Sequence, residues 1–454
     1  MKTIVQINTL DVPGGAARIA NMLHGFFKDR GYHSKLIVGT KLGFEPDTIK
    51  LKTALKEVTE RLPRVSKLIR RLSCKYHALR HRAELMFGLE DFGDTDSRYL
   101  EEILPDSTDI IQCHNLHGGY FDLGTLPVLS KRHPVVLLMH DPWLLAGHCA
   151  HSFDCEKWVD GCGECPYLDV HHALKRDTSH KNWLKKKRIY DSCSLYLITP
   201  SQWLMDKVER SILKPAVVKG RVINNGVDQT IFCPCDKKMA RAQLGINFDE
   251  HVVMFAANGI RESIWKDYAT MRAAIGEAAM AMPEILLRFL AVGESAPSEK
   301  IGSATITFVP YKTQKEMAKY YQSADVYIHA ARAENFPNTI VEALSCGTPV
   351  IATAVGGVAE QIMGLGYEGD RSGLNHYDLK EATGILTPVG DVGALSGAMY
   401  HMFHTPGILQ QLSESAARDA RMRFNLETIG NQYIKFFEEV IADWKTRSQV
   451  EDEE

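Results

Sequence analysis

Two carboxylates lie in the stretch AENFPNTIVEALSCGTPVIAT, spaced as E-x7-E. Glu334 sits just before a Phe-Pro turn, and Glu342 lies inside the apolar run that follows. Pro337 suits a helix start, where its missing N–H has no intrahelical partner to lose, and Gly347 suits the stop. The pattern predicts a short helix over 338–346 and a buried strand over 350–353. Glu334 then stands at a helix N-terminus, where free N–H groups and partial positive charge attract phosphate, while Glu342 lies a turn or more inside. Such a pair can grip the hydroxyls of a sugar and a ribose. The plainer reading is one solvated loop carboxylate and one on a helix surface.

Other residues could share that chemistry. Arg261 and Lys266, in NGIRESIWKD, follow a strand and could neutralise a diphosphate and the charge that develops on it as a leaving group. His140 and Asp141 end the run VVLLMHD, and His114 and Asn115 end IIQCHN. Polar residues at such strand ends face a ligand crevice, although a core histidine satisfied by backbone is a common alternative. Gly14 and Gly15 follow the first strand and open a helix, which lets backbone approach a diphosphate or acceptor closely. The full GxGxxG is missing and no acidic residue clearly ends a second strand, which disfavours a nicotinamide cofactor. Cys149, Cys155, Cys162 and Cys165 are spaced C-x5-C-x6-C-x2-C. Four thiolates can close a structural zinc site that braces a loop; disulfides or buried free thiols are the alternatives.

The elements that must position these groups alternate short apolar strands with longer amphipathic segments, an α/β pattern of parallel units. One series of strands falls at 3–8, 34–38, 110–114, 135–140 and 195–199. A second falls at 252–257, 286–292, 306–309, 326–329 and 350–353. Two series imply two doubly wound domains, 1–218 and 219–454, with ligands at the carboxyl ends of the strands. Inserts interrupt the first domain at 62–86 and 147–166. In the former, Val65, Leu68, Ile69, Leu72, Tyr76 and Leu79 share a helical face amid Arg64, Lys67, Arg70, Arg71, Lys75, Arg80 and Arg82. A basic amphipathic helix can lie on an anionic membrane, or its apolar stripe can pack on its own domain.

The chain of 454 residues, 45% hydrophobic and 24% charged, is that of a globular protein large enough for two or three cores. A net charge of −3 argues against a general nucleic-acid binder. No apolar run reaches the roughly 18 residues of a membrane span, and the N-terminus lacks the pattern of a secretory signal. The cytoplasm is the expected compartment.

Together these motifs resemble a known family, the retaining family-4 glycosyltransferases of the GT-B fold, in which two Rossmann-like domains face each other across a cleft. The resemblance runs from Gly14-Gly15-Ala-Ala-Arg18 through Ile223-Asn-Asn-Gly226-Val-Asp228, Arg261 and Lys266 to Glu334-x7-Glu342, Val355-Gly-Gly-Val-Ala-Glu360 and Thr387-Pro-Val-Gly-Asp391. The stretch from His140 through the cysteines is similar to a subgroup that builds colanic acid, other exopolysaccharides or O-antigens. The resemblance implies transfer of a sugar from a nucleoside-diphosphate sugar to a hydroxyl of an oligosaccharide or lipid-linked acceptor, at the inner face of the plasma membrane, with retained anomeric configuration. It assigns Glu334 to the donor sugar and Glu342 to the ribose. Backbone N–H groups around Asn335, Phe336 and Asn338 would hold sugar and phosphate, Arg261 and Lys266 the diphosphate, and Gly15 would approach it. His140 would contact the transferred sugar. No catalytic metal is implied, and the last helix, about 426–444, is expected to return to the first domain. Glycoside phosphorylases, nucleotide-sugar epimerases and a catalytically silent sugar-nucleotide-binding partner are the competing readings.

Overall fold

The first strand, β1 (Thr3–Leu10), is a β-branched and apolar run buried along most of its length. A computed structural model of the chain describes residues 2–52, 56, 68, 72, 75, 76, 79, 82–84, 86–89, 97–366 and 376–453, with side chains to 449. After β1 come β2 (His33–Thr40), β3 (Thr48–Lys50), β4 (Thr108–Cys113), β5 (Val135–Leu138), β6 (Leu195–Thr199) and β7 (Val217–Val222). They pair in parallel in the order β3-β2-β1-β4-β5-β6-β7. The second sheet holds β8 (His251–Ala256), β9 (Leu287–Val292), β10 (Glu299–Ile301), β11 (Ala304–Val309), β12 (Val326–His329), β13 (Val350–Thr353) and β14 (Gly384–Thr387). Its order is β10-β11-β9-β8-β12-β13-β14, antiparallel only at β10–β11.

Both sheets are therefore doubly wound α/β layers, as the alternating pattern predicts. The second shows why its strands read as unbroken apolar runs. Val252, Met254 and Ala256 pack into one core while Val253 and Phe255 pack into another on the opposite face. A parallel sheet covered by helices on both sides has no solvent face to mark with polar residues.

The chain divides into one unit of Met1–Ile223 with Gly430–Glu454, and a second of Asn224–Ile429. A boundary between 218 and 219 would cut β7. That strand, VVKGRV, is an edge strand with no fully buried residue, so its sequence carries little apolar signal. β3, β10 and β14 are likewise short or peripheral and escape the pattern. The last helix, Leu426–Glu453, belongs from Gly430 onward to the first unit. There Glu439 bridges Lys219 and Arg221 of β7, Tyr196 of β6 donates to Asp443 at 2.6 Å, and Phe437 packs on Phe27 with ring centroids 5.6 Å apart.

Of the 62–86 insert, Leu68, Leu72, Tyr76 and Leu79 are helical and between 59% and 66% exposed. Val65, Ile69 and the cations Arg64, Lys67, Arg70, Arg71 and Arg80 lie outside the described residues.

At Gly430 the last helix packs tightly on Phe26 of the helix Gly15–Asp29. A Cβ there would stand 2.3 Å from Cε1 of the buried Phe26. Gly430→Ala should therefore cost about 1–3 kcal/mol by overpacking. A denaturant midpoint unchanged from the parent would contradict this packing.

Candidate active site

In the second sheet the strand order reverses between β8 and β12, the place where doubly wound sheets open a crevice at their carboxyl ends. The segments leaving those two strands are stitched together. Lys266 and Ala331 form an isolated antiparallel bridge, and the Arg332 N–H donates to Trp265 O at 2.9 Å. This brings Lys266, from one segment, against Glu334, from the other.

The Lys266 ammonium forms an ion pair with Glu334 and also lies 3.2 Å from His329 Nε2. These contacts use two of its three donors. Burial alone would raise the Glu334 carboxyl, but the Lys266 charge and His329 hold it well below its usual range. Burial, then the Lys266 charge, depresses His329 to about 4, so its ring is neutral. Arg261, by contrast, is half exposed. Its Nε meets Glu294 Oε1 at 2.5 Å and its backbone N–H meets Oε2 at 3.0 Å. Glu294 follows Gly293, whose φ of 120° and whose missing Cβ (which would stand 2.1 Å from Ala257 O) only glycine satisfies.

Residues 338–345 form the expected short helix, with Pro337 at the N-cap and no side chain capping its N–H groups. Gly347 ends it at φ 74°. The Asn335 N–H reaches Glu334 Oε1 at 3.3 Å, and the Asn225 amide reaches Asn338 Oδ1 at 2.9 Å. Phe336 turns its ring into the core against Phe424, so only its backbone can serve a ligand. Glu342 is not on a helix surface: it is 3% exposed and accepts from the Tyr321 hydroxyl at 3.0 Å.

The first unit has its own reversal, between β1 and β4. Gly14 caps the helix Gly15–Asp29 at φ 118°, and Asn115 O accepts from Thr9 and Tyr120. His114 is buried and stacked on His140, with Nδ1 3.0 Å from His140 Nε2. The Gln6 amide is satisfied on all sides when its nitrogen donates to His114 Nε2 (3.0 Å) and Ala20 O (3.2 Å) and its oxygen accepts from His24 N (3.2 Å). His114 then donates through Nδ1 to His140 Nε2, leaving the His140 proton on Nδ1. Burial lowers His114 and brings His140 to about 4, so the pair is neutral and His140 acts as a donor.

Asp141 accepts from the Trp143 N–H at 2.9 Å and faces His117 Nε2 at 3.2 Å. Burial opposes its ionisation, but the His117 charge and hydrogen bond hold its carboxyl well below the usual range.

Among the described residues, the set of three or more metal-ligating groups meeting at binding distance is His24, Glu45 and Asp47, and Lys28 already bonds both of those carboxylates. Cys149, Cys155, Cys162 and Cys165 form no disulfide, and the other three stand near enough to raise the Cys149 thiol beyond what burial does. Cys149 is buried in the core, the Gly147 N–H donates to Cys162 Sγ at 3.3 Å, and Cys165 Sγ lies 3.2 Å from His148 Nε2. Burial raises the Cys162 thiol to about 11.

Sequence reasoning missed several residues of these surroundings. His329 ends β12 as His140 follows β5, so the strand-end signal was there to be read. Glu294 follows β9 in AVGE, a similar signal. Tyr321 and the pair His171-His172 have none.

The geometry is a cation and carboxylate at the switch point of a doubly wound sheet, and comparison with known proteins gives it a family. Residues 251–404 match the family model described as glycosyl transferases group 1. This stretch of the second unit is similar to group 1 glycosyl transferases. Over 368 residues the chain is 24% identical to the putative colanic acid biosynthesis glycosyl transferase WcaC of Escherichia coli, covering 77% of this chain and 82% of that protein. It is 36% identical over 160 residues to the D-inositol 3-phosphate glycosyltransferase of Segniliparus rotundus, covering 32% of this chain and 34% of that one. Sucrose-phosphate synthase from Thermosynechococcus elongatus shares the fold at TM-score 0.62 and 19% identity, over 98% of this chain and all of that one. The Anabaena protein HepE in complex with UDP-glucose does so at 0.58 and 16%, over 97% of this chain and 100% of its own. The two-sheet α/β architecture is thus that of GT-B glycosyltransferases.

These environments set an acid limit on the fold. His140, His172 and His329, with folded values of about 4, 3 and 4, bind fewer protons folded than unfolded below pH 6.5. Stability present above pH 6.5 is therefore lost as the pH falls, on the order of 1 kcal/mol per histidine per unit. Glu334, depressed from 4.5, adds to the loss below that value. Thermal melts should fall steadily between pH 7 and 4.5; a flat profile would contradict these assignments.

Proposed function

We propose that the chain is a retaining hexosyltransferase that moves a sugar from a nucleoside-diphosphate donor to a hydroxyl of a lipid-linked oligosaccharide in bacterial surface polysaccharide synthesis. The observation that carries this reading is the Lys266–Glu334–His329 cluster at the switch point, beside the N-terminus of the helix Asn338–Ser345. The WcaC relative supports the polysaccharide assignment, and the HepE complexes with UDP and UDP-glucose support a uridine donor.

In this reading the remaining Lys266 donor takes a phosphate oxygen while Glu334, kept ionised, accepts from sugar hydroxyls. Arg261 exchanges Glu294 for the diphosphate, and the start of the helix at Asn338 faces further oxygens. As the anomeric bond breaks, negative charge builds on the diphosphate, and these donors stabilise it. Glu342 is assigned to the ribose. His140, neutral and donating through Nδ1, is assigned to the transferred sugar. None of the carboxylates is assigned as a nucleophile, so attack by the acceptor hydroxyl on the leaving-group face accounts for retention.

The test is thermal stabilisation by UDP-sugars, followed by NMR of the product anomer. Ligand at 100 times its dissociation constant adds about 2.7 kcal/mol. Arg261→Ala, at an exposed position, should weaken UDP binding about tenfold or more, one charge-assisted bond being worth about 1.5–3 kcal/mol. No shift with any nucleoside diphosphate, or an inverted product, would sink the reading.

Peripheral membrane docking is part of this proposal and rests on the exposed stripe of Leu68, Leu72, Tyr76 and Leu79 flanked by Lys75 and Arg82. Lys75→Glu with Arg82→Glu should reduce co-sedimentation with phosphatidylglycerol vesicles severalfold. Equal sedimentation would remove the membrane from the proposal.

A further inference from the structure

The cysteine-rich insert has a visible consequence at its far end. It folds so that Ala150 N bonds His171 O at 3.2 Å and His148 Nδ1 meets His172 O at 2.9 Å. This places His171 and His172 against His117, the residue that pairs with Asp141 at the carboxyl edge of the first sheet. The His117 and His172 ring centroids are 4.5 Å apart, and those of His171 and His172 are 3.8 Å apart. Trp143, fully buried, backs both His117 and His172 at 5.5 and 6.2 Å.

Resting on the glycosyltransferase reading, we propose that His117, Asp141, His171 and His172 form a subsite for an uncharged sugar ring of the acceptor.

The chemistry of the set selects that class. It offers imidazole donors, acceptors and aromatic faces at part-exposed positions, together with one carboxylate, and no lysine or arginine belongs to it. The nearby ammonium, Lys186, is buried beneath Trp143 with Nζ bonded to Trp143 O and Ala146 O, both at 2.9 Å. Burial and the neighbouring imidazoles keep His171 and His172 neutral. His172 Nε2 is buried without a hydrogen-bond partner in the protein, a cost that a ligand hydroxyl would relieve. A phosphate placed here would face the Asp141 carboxylate with no lysine or arginine in the set to offset it. A neutral ring with paired hydroxyls meets both donors and acceptors.

The test uses the full chain with UDP present and a panel of methyl hexopyranosides, each alongside its 6-phosphate, read by saturation-transfer NMR. At least one neutral glycoside should bind, its 6-phosphate at least fivefold more weakly. His171→Ala and His172→Leu should each weaken the neutral glycoside at least fivefold while the UDP-induced thermal shift stays as in the parent. His171 is exposed, so its variant carries the test if His172→Leu proves unstable. Binding of the phosphates alone, binding of no glycoside, or unchanged affinity in both variants overturns the subsite. Loss of the UDP shift in the parent chain would instead strike at the donor reading.

Discussion

A single ammonium group organises the donor-side crevice. Lys266 is drawn out of solvent by a backbone bridge to Ala331, and that position is tolerable only because Glu334 and the neutral His329 receive its charge. Buried ions demand partners with good geometry, and here the partners come from the strand on the other side of the sheet's reversal. The pair therefore fixes both loops at once. It also keeps Glu334 ionised at the mouth of the helix Asn338–Ser345. Removing either partner would leave the other as an uncompensated charge, so chemistry and local folding depend on one contact.

The opposite end of the same strands is pinned by an analogous device. Asp325, just before β12, accepts from Lys237, Arg241 and the β8 N–H of Val252 at 2.7–2.8 Å. Burial would raise its carboxyl, but the two cations hold it low. With β8 and β12 registered at their amino ends by Asp325 and at their carboxyl ends by Lys266, little freedom remains for the crevice between them. In the first unit, the Gln6–His114–His140 relay plays the corresponding part without any net charge.

Much of this was legible in the sequence, for physical reasons that can be named. Central strands such as β6, β12 and β13 stand where the apolar runs put them, because burial on both faces leaves no other composition available. Lys266 and Glu334 could be singled out because charged residues at strand ends rarely have a packing role. Glu342 was harder to place. Its position inside an apolar run was visible, but its burial against Tyr321 depends on a helix 21 residues earlier in the chain. His171 and His172 gave no signal, since their partners are brought to them only by the folded insert. β7 was missed because an exposed edge strand is not required to be apolar.

The chain path has one more consequence, and it concerns order of assembly. The second unit is a continuous stretch, Asn224–Ile429, inserted into a first unit made of two separated pieces. As a nascent chain emerges, the second unit has all its residues before the first does. The first unit must wait for the helix Leu426–Glu453 to cover β6 and β7, whose Tyr196, Lys219 and Arg221 have their partners there. Until then an edge of the first sheet stays open, and completion of the earlier half is delegated to a helix made after the later one.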